Sequence, residues 1–193
     1  PEKITLMEAT KIYSTIGCCG IDCGLCPSFY TKGSSVCPGC GGLHFKDKHP
    51  TCSFHTCCAI KKGFEVCSQC SEYPCKKFDA ERHGYDSFVT HRKVFSNLDT
   101  IKENGIEFFI HQQKTRIRIL ENLLTNFDDG RSKSYFCISC ALLPLNILEQ
   151  AGIEMANLNH MNEVKDKNKL IKEFLTKAAR EIGIELKLNK KSG

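Results

Sequence analysis

The chain has 193 residues, 41% hydrophobic and 25% charged, with fourteen cysteines, which is enough for one ordinary core or for a core beside a small metal module. Its formal charge of +5 is weak support for an anionic partner, because two divalent ions each held by four thiolates would bring it to about +1. Nucleic acid is therefore disfavoured as a partner. The longest largely apolar run, residues 138 to 148, is interrupted by Pro144 and falls short of the roughly 20 residues a bilayer span needs. The sequence opens Pro-Glu-Lys-Ile-Thr without the basic-then-apolar pattern of a secretory leader. Together these features predict a soluble cytoplasmic protein with no membrane partner.

Twelve of the fourteen cysteines, with seven glycines, fall within residues 18 to 75. The short pairs Cys23-Gly-Leu-Cys26, Cys37-Pro-Gly-Cys40 and Cys67-Ser-Gln-Cys70 have Cys19, Cys52, Cys57 and Cys75 close around them. Disulfides place little constraint on spacing, whereas Cys-x-x-Cys turns two thiolates toward one centre, as a tetrahedral ion requires. Cys37-Pro-Gly-Cys40-Gly41 has the form of a zinc knuckle. The simplest partition gives Cys23, Cys26, Cys37 and Cys40 to one ion and four of Cys52, Cys57, Cys67, Cys70 and Cys75 to another; interleaved pairing fits the spacing equally well. His44, His49 or His55 could complete a mixed site, with His55, between Cys52 and Cys57, the best placed. Cys19-x-x-x-Cys23-x-x-Cys26 is also the spacing by which radical enzymes hold a [4Fe-4S] cluster, with Pro27 following as in ferredoxins. The chain is too short for the barrel of such an enzyme.

From residue 80 onward the period changes to about 3.6 residues. Phe88, His91, Val94, Phe95, Leu98 and Ile101 predict a helix near 87 to 104, closed at Gly105. The stripe from Ile106 to Phe127 predicts the longest helix, ending at Asp128-Asp129-Gly130. A third, from about Ser134 to Gln150, must split at Pro144, whose ring removes a backbone donor. The fourth carries Val164, Leu170, Ile171, Phe174, Leu175, Ala178 and Ile182 and ends at Gly183. Alternation of Ile184, Leu186 and Leu188 with charged residues then predicts a short strand. The predicted architecture is α-rich: a cysteine-rich metal-binding module, residues 1–78, packed on a helical region, residues 79–193.

Outside the cluster, Cys137-Ile-Ser-Cys140 at a helix start reads as a buried pair, a redox pair or a further metal site. Asp129-Gly-Arg-Ser-Lys-Ser134 reads as a solvated turn capping a helix or as an anion cradle. Lys114, Arg116 and Arg118 read as a wet helix face. No paired carboxylates, serine triad or nucleotide-binding glycine loop is present, so the chain carries no recognisable catalytic motif.

Cys19-Gly-Ile-Asp-Cys-Gly-Leu-Cys-Pro27, residues 52 to 63, and Cys67-Ser-Gln-Cys-Ser-Glu-Tyr-Pro-Cys75 together resemble a prokaryotic family of cysteine-rich proteins classed as a domain of unknown function. Asn104-Gly105-Ile106 also resembles that family's helical continuation. The resemblance implies a small zinc-binding domain whose recurrent cysteines would be Cys19, Cys23, Cys26, Cys37, Cys40, Cys52, Cys57, Cys67, Cys70 and Cys75. Cys18 and Cys58 depart from the pattern. Three functions follow as expectations: a binding or scaffold module for an unidentified protein partner, with two or more structural zinc ions; an iron-sulfur redox protein or enzyme; and, more weakly, a zinc-knuckle nucleic-acid binder.

Overall fold

A computed structural model of the chain describes residues 9–49, 51–81 and 84–190. Helix accounts for 55% of the described residues and no strand occurs among them, so the fold is α-rich. The cysteine segment contains only short elements. These are 3-10 turns at Cys23–Leu25, Gly33–Ser35, Cys67–Gln69 and Lys76–Phe78, helix α1 (Phe45–Lys48), and helix α2 (Ser53–His55), which runs on as a π-helical stretch over Thr56–Lys61. Five longer helices follow: α3 (Val94–Asn104), α4 (Ile106–Asn126), α5 (Lys133–Leu142), α6 (Leu145–Asn157) and α7 (Val164–Glu181).

Apolar periodicity places three of the five well, while α6 continues through Gly152 to Asn157, past the end expected near Gln150. The first starts at Val94 rather than near residue 87. The buried Asp86 carboxylate accepts from Thr90 Oγ1 at 3.2 Å and from the His91 amide at 2.6 Å, which holds an irregular turn and leaves Phe88 exposed. Pro144 divides α5 from α6 as its missing amide requires. The tail forms no strand. Ile184 and Leu186 pack against the bundle as their alternation predicts, but side chains take the place of a ladder: the Arg92 guanidinium donates to the carbonyls of Glu185 at 3.0 Å and Lys187 at 2.6 Å. The Asn189 amide donates to Asp86 Oδ2 at 2.8 Å.

The cysteine segment shares its packing with the helices. Leu25 is 1% exposed in the bundle core with Leu120, Leu123, Phe136, Cys137 and Leu148. Ile16, Val66 and Phe78 form a second core with Val94, Leu98, Ile101 and Phe109 of α3 and α4. A polar clasp joins the same parts. Asp22 Oδ1 accepts from Gln113 Nε2 and Oδ2 from Asn97 Nδ2, each at 2.8 Å, all three side chains being buried. A carboxylate is tolerated at this depth because both oxygens are hydrogen-bonded.

Candidate metal centre

None of the fourteen cysteines is in a disulfide. The short turns aim the thiols, and each turn is closed by a local bond and anchored by a buried neighbour. In Cys67–Gln69 the Cys70 amide donates to the Cys67 carbonyl at 3.0 Å, and Gln69 Oε1 accepts from the amides of Glu65 at 2.8 Å and Val66 at 3.2 Å. Val66, fully buried, fixes this turn to the protein. The knuckle Cys37-Pro-Gly-Cys40 lies against residues 10 to 15, with the Cys40 amide donating to the Ser14 carbonyl at 2.8 Å. Gly39 adopts φ +79°, and a Cβ there would stand 2.3 Å from the Ser14 oxygen, so this approach needs glycine.

The thiols gather in three neighbourhoods. In the first, Cys40 Sγ donates to Cys18 Sγ at 3.8 Å, and the Cys18 amide donates to Cys40 Sγ at 3.4 Å. The string continues from Cys18 to Cys58 and from Cys58 to Cys67, with Cys23, Cys19 and Cys52 alongside. In the second, His49 Nε2 lies 3.5 Å from Cys37 Sγ, and Cys26 is within electrostatic reach of Cys37. In the third, Cys57, Cys58, Cys67, Cys70 and Cys75 line one cavity of about 30 Å³.

This grouping bears on the sequence-predicted partition. Cys57, Cys67, Cys70 and Cys75 all line the third cavity, while Cys52 packs with Cys18, Cys40 and Cys58. Cys23 lies by Cys40 and Cys26 by Cys37. Cys23 and Cys26 bracket one 3-10 turn, the Cys26 amide donating to the Cys23 carbonyl at 3.2 Å, and Leu25 between them anchors that turn in the bundle core. His55 is not beside a thiol pair. Its ring accepts or donates to Thr10 Oγ1 at 2.7 Å and packs on Phe45, and burial lowers its pKa. His44 pairs instead with Asp47 at 3.5 Å.

Four residues of the site escape motif reading. Cys18 and Cys58 are the links that join the knuckle to the third neighbourhood; the doublets Cys18-Cys19 and Cys57-Cys58 are their only signal in the sequence. Lys11, 6% exposed, reaches in from outside the cysteine segment, donating to the Ile16 carbonyl. Its charge lowers the pKa of Cys18, Cys23, Cys40 and Cys58 without being the largest influence on any of them. Lys62 Nζ lies 3.0 Å from Cys70 Sγ and 3.0 Å from Glu72 Oε2.

Electrostatics divides the thiols into two kinds. Cys18 accepts from Cys40, which lowers its pKa, but donation to Cys58 and burial outweigh this and push it up to about 12. Burial pushes Cys19 up to about 12, and it raises Cys23 and Cys26 as well. These thiols stay protonated until a cation compensates the charge they would bury. Cys70 is the opposite case: the Lys62 ammonium beside it lowers its pKa.

Thiolate is the donor that zinc and iron take up, and the third cavity is lined by thiols from both stretches. The sulfurs meet in pairs and along this cavity, but among the described residues no group of three or more Cys, His, Asp or Glu side chains is placed to hold a metal ion. Cys137 and Cys140 sit elsewhere, 1% and 0% exposed in the bundle core. Burial holds both thiols up, Cys140 to about 12. The loop before α5 is closed on itself: Asp128 Oδ1 accepts from the amides of Gly130 at 3.0 Å and Ser132 at 2.9 Å, which leaves neither for an anion. Arg116 is not on a wet face either; it donates to the Cys140 carbonyl at 2.8 Å and the Leu143 carbonyl at 2.6 Å, satisfying the end of α5. No helix among the described residues is long and apolar enough to cross a membrane. No family model, curated protein or solved structure matches the chain.

Proposed function

We propose that the cysteine segment is a zinc-binding structural module. It organises a binding or scaffold protein, and the helical region presents a surface to a protein partner. The observation that best supports this reading is that five thiols from two separate stretches, Cys57 and Cys58 on one and Cys67, Cys70 and Cys75 on the other, line one cavity together with Lys62, Glu72 and Phe78. Cys57, Cys67, Cys70 and Cys75 would hold the ion there. The separation of Cys18 and Cys40 adds to this: 3.8 Å is the edge of a sulfur tetrahedron with metal–sulfur bonds of about 2.3 Å. Bound zinc would cross-link two loops that already meet through Phe54, Tyr73 and Phe78, so that metal affinity adds to folding energy.

An iron-sulfur cluster is less well supported. A cubane needs its three motif thiols meeting on one face, and among the described residues Cys19, Cys23 and Cys26 form no such group. Lys11 suits a thiolate module of either metal, since one ammonium offsets part of the charge that ionised thiols bring inside.

The test is metal stoichiometry across a set of variants. Cys67→Ser and Cys70→Ser should each lose one zinc per chain and loosen the cysteine segment. Cys137→Ser should keep the full complement. Full metal content and unchanged stability in Cys67→Ser and Cys70→Ser would defeat the proposal, and iron with acid-labile sulfide in the parent protein would replace it.

A further inference from the structure

Net charge is distributed unevenly along the fold. Residues 164 to 190 carry eight Lys and Arg against four Asp and Glu. Helix α7 packs on α6, while the cysteine segment packs on α3, α4 and α5. Negative charge gained by metal-bound thiolates would therefore sit away from α7 and leave its positive charge standing.

The cations of α7 are ordered. Lys165, Lys169, Lys172, Lys177 and Arg180 follow at steps of three to five residues, while Ile171, Leu175 and Ala179 face the core. With Arg131 from the loop before α5, they line an open groove of about 740 Å³. From Lys165 to Arg180 the helix rises about 22 Å. None of the six is in an ion pair among the described residues. Two carboxylates also line the groove, Asp129 and Glu173, and Asp129 Oδ1 is already shared by the Arg131 amide at 3.1 Å and Ser132 Oγ at 3.0 Å. Six cations against two carboxylates, four of the cations lysines, form a field of one sign along a channel.

The lining selects the kind of anion. The lining contains no aromatic and no large apolar side chain, and the nearest ring, Tyr135, is covered by Lys172 Nζ at 5.1 Å and tied to Thr176 Oγ1 at 2.7 Å, so the groove lacks the buried anchor of a protein interface, the apolar face that enters a bilayer, and a free platform on which unpaired bases stack. What remains is charge repeated along a line, which complements a repeating phosphate.

We propose that the groove between α7 and the loop before α5 is a binding site for the phosphodiester backbone of double-stranded nucleic acid, engaged without reading base sequence. The site is independent of the thiol module and stands whichever metal that module holds.

Fluorescence anisotropy of a labelled random-sequence 20-base-pair DNA duplex, titrated with the full chain, tests this. Each phosphate neutralised contributes about −0.9 to the slope of log affinity against log salt. Four such contacts weaken binding about 150-fold between 50 and 200 mM salt. Lys165→Gln/Lys169→Gln, on the exposed face of α7, should make the slope shallower by about 1.8 and leave the thermal melt unchanged. If that pair alters the melt, Lys177→Gln/Arg180→Gln replaces it. Absence of binding at 50 mM salt would overturn the proposal. So would a slope unmoved by both pairs, more than tenfold preference between duplex sequences, or tighter binding to polyglutamate or phosphatidylserine vesicles than to the duplex.

Discussion

Replacing Leu25 by alanine tests whether the cysteine segment and the helices fold as one unit. Leu25 lies between Cys23 and Cys26, yet its side chain is 1% exposed within the bundle core, against Leu120, Phe136 and Leu148. Truncation removes three methyl-sized groups from a closely packed site and leaves a cavity the helices only partly fill, at a cost of about 2–5 kcal/mol. For a chain of this length each kcal/mol lowers the melting temperature by about 2–4 °C, so a loss near 3 kcal/mol corresponds to about 6–12 °C. Circular dichroism at 222 nm follows the helices, while release of metal or thiol reactivity follows the cysteine segment. Both probes should move to the same lower temperature. A shift below about 2 °C, or a helical melt that stays put while the cysteine segment loosens, would refute the shared core.

Gly20 adopts φ +92°, and a Cβ there would lie 2.5 Å from the Val94 carbonyl oxygen and 2.7 Å from Leu98 Cγ. Gly20→Ala should therefore destabilise by about 2–4 kcal/mol in a urea titration, and a change within error would show that the loop can move off α3. Asp22→Ala strips the carboxylate from Asn97 and Gln113, although each amide keeps a carbonyl acceptor, Gly20 or Thr15; the expected loss is about 1–3 kcal/mol by the same titration. In metal-stripped, reduced protein, Cys70 should be alkylated by iodoacetamide ahead of the other cysteines, because the ammonium of Lys62 favours its thiolate. Its rate should rise with pH earlier than that of an ordinary thiol, and Lys62→Gln should move the rise to higher pH. Mass-spectrometric mapping that finds Cys137 or Cys140 modified first would contradict the burial assigned to them.

The helices were largely legible in the sequence because each buries one stripe at a period of 3.6, and Pro144 and Gly183 mark their interruptions in chemical terms. The failures share a cause. Residues 87 to 93 carry helical spacing, but a buried carboxylate from Asp86 captures the backbone amide of His91, and periodicity has no access to such a side-chain bond. The tail alternates like a strand and buries the predicted residues, yet pairs with Arg92 and Asp86 in place of a neighbouring strand. In the cysteine segment, local spacing found the pairs because Cys-x-x-Cys is a turn that closes on itself. Distant anchors, Leu25 in one core and Val66 in another, hold these turns in place. Lys11 reaches the cluster only because residues 10 to 15 lie along the knuckle, a contact with no mark in the composition.

The most direct test of the thiol module is the metal content of the parent protein purified without oxygen, by elemental analysis with an absorption spectrum. Two or more zinc ions per chain and no visible absorbance are expected. Metal-free protein that retains the cooperative melt of its helices and cysteine segment would contradict a structural metal, as would iron with acid-labile sulfide in place of zinc.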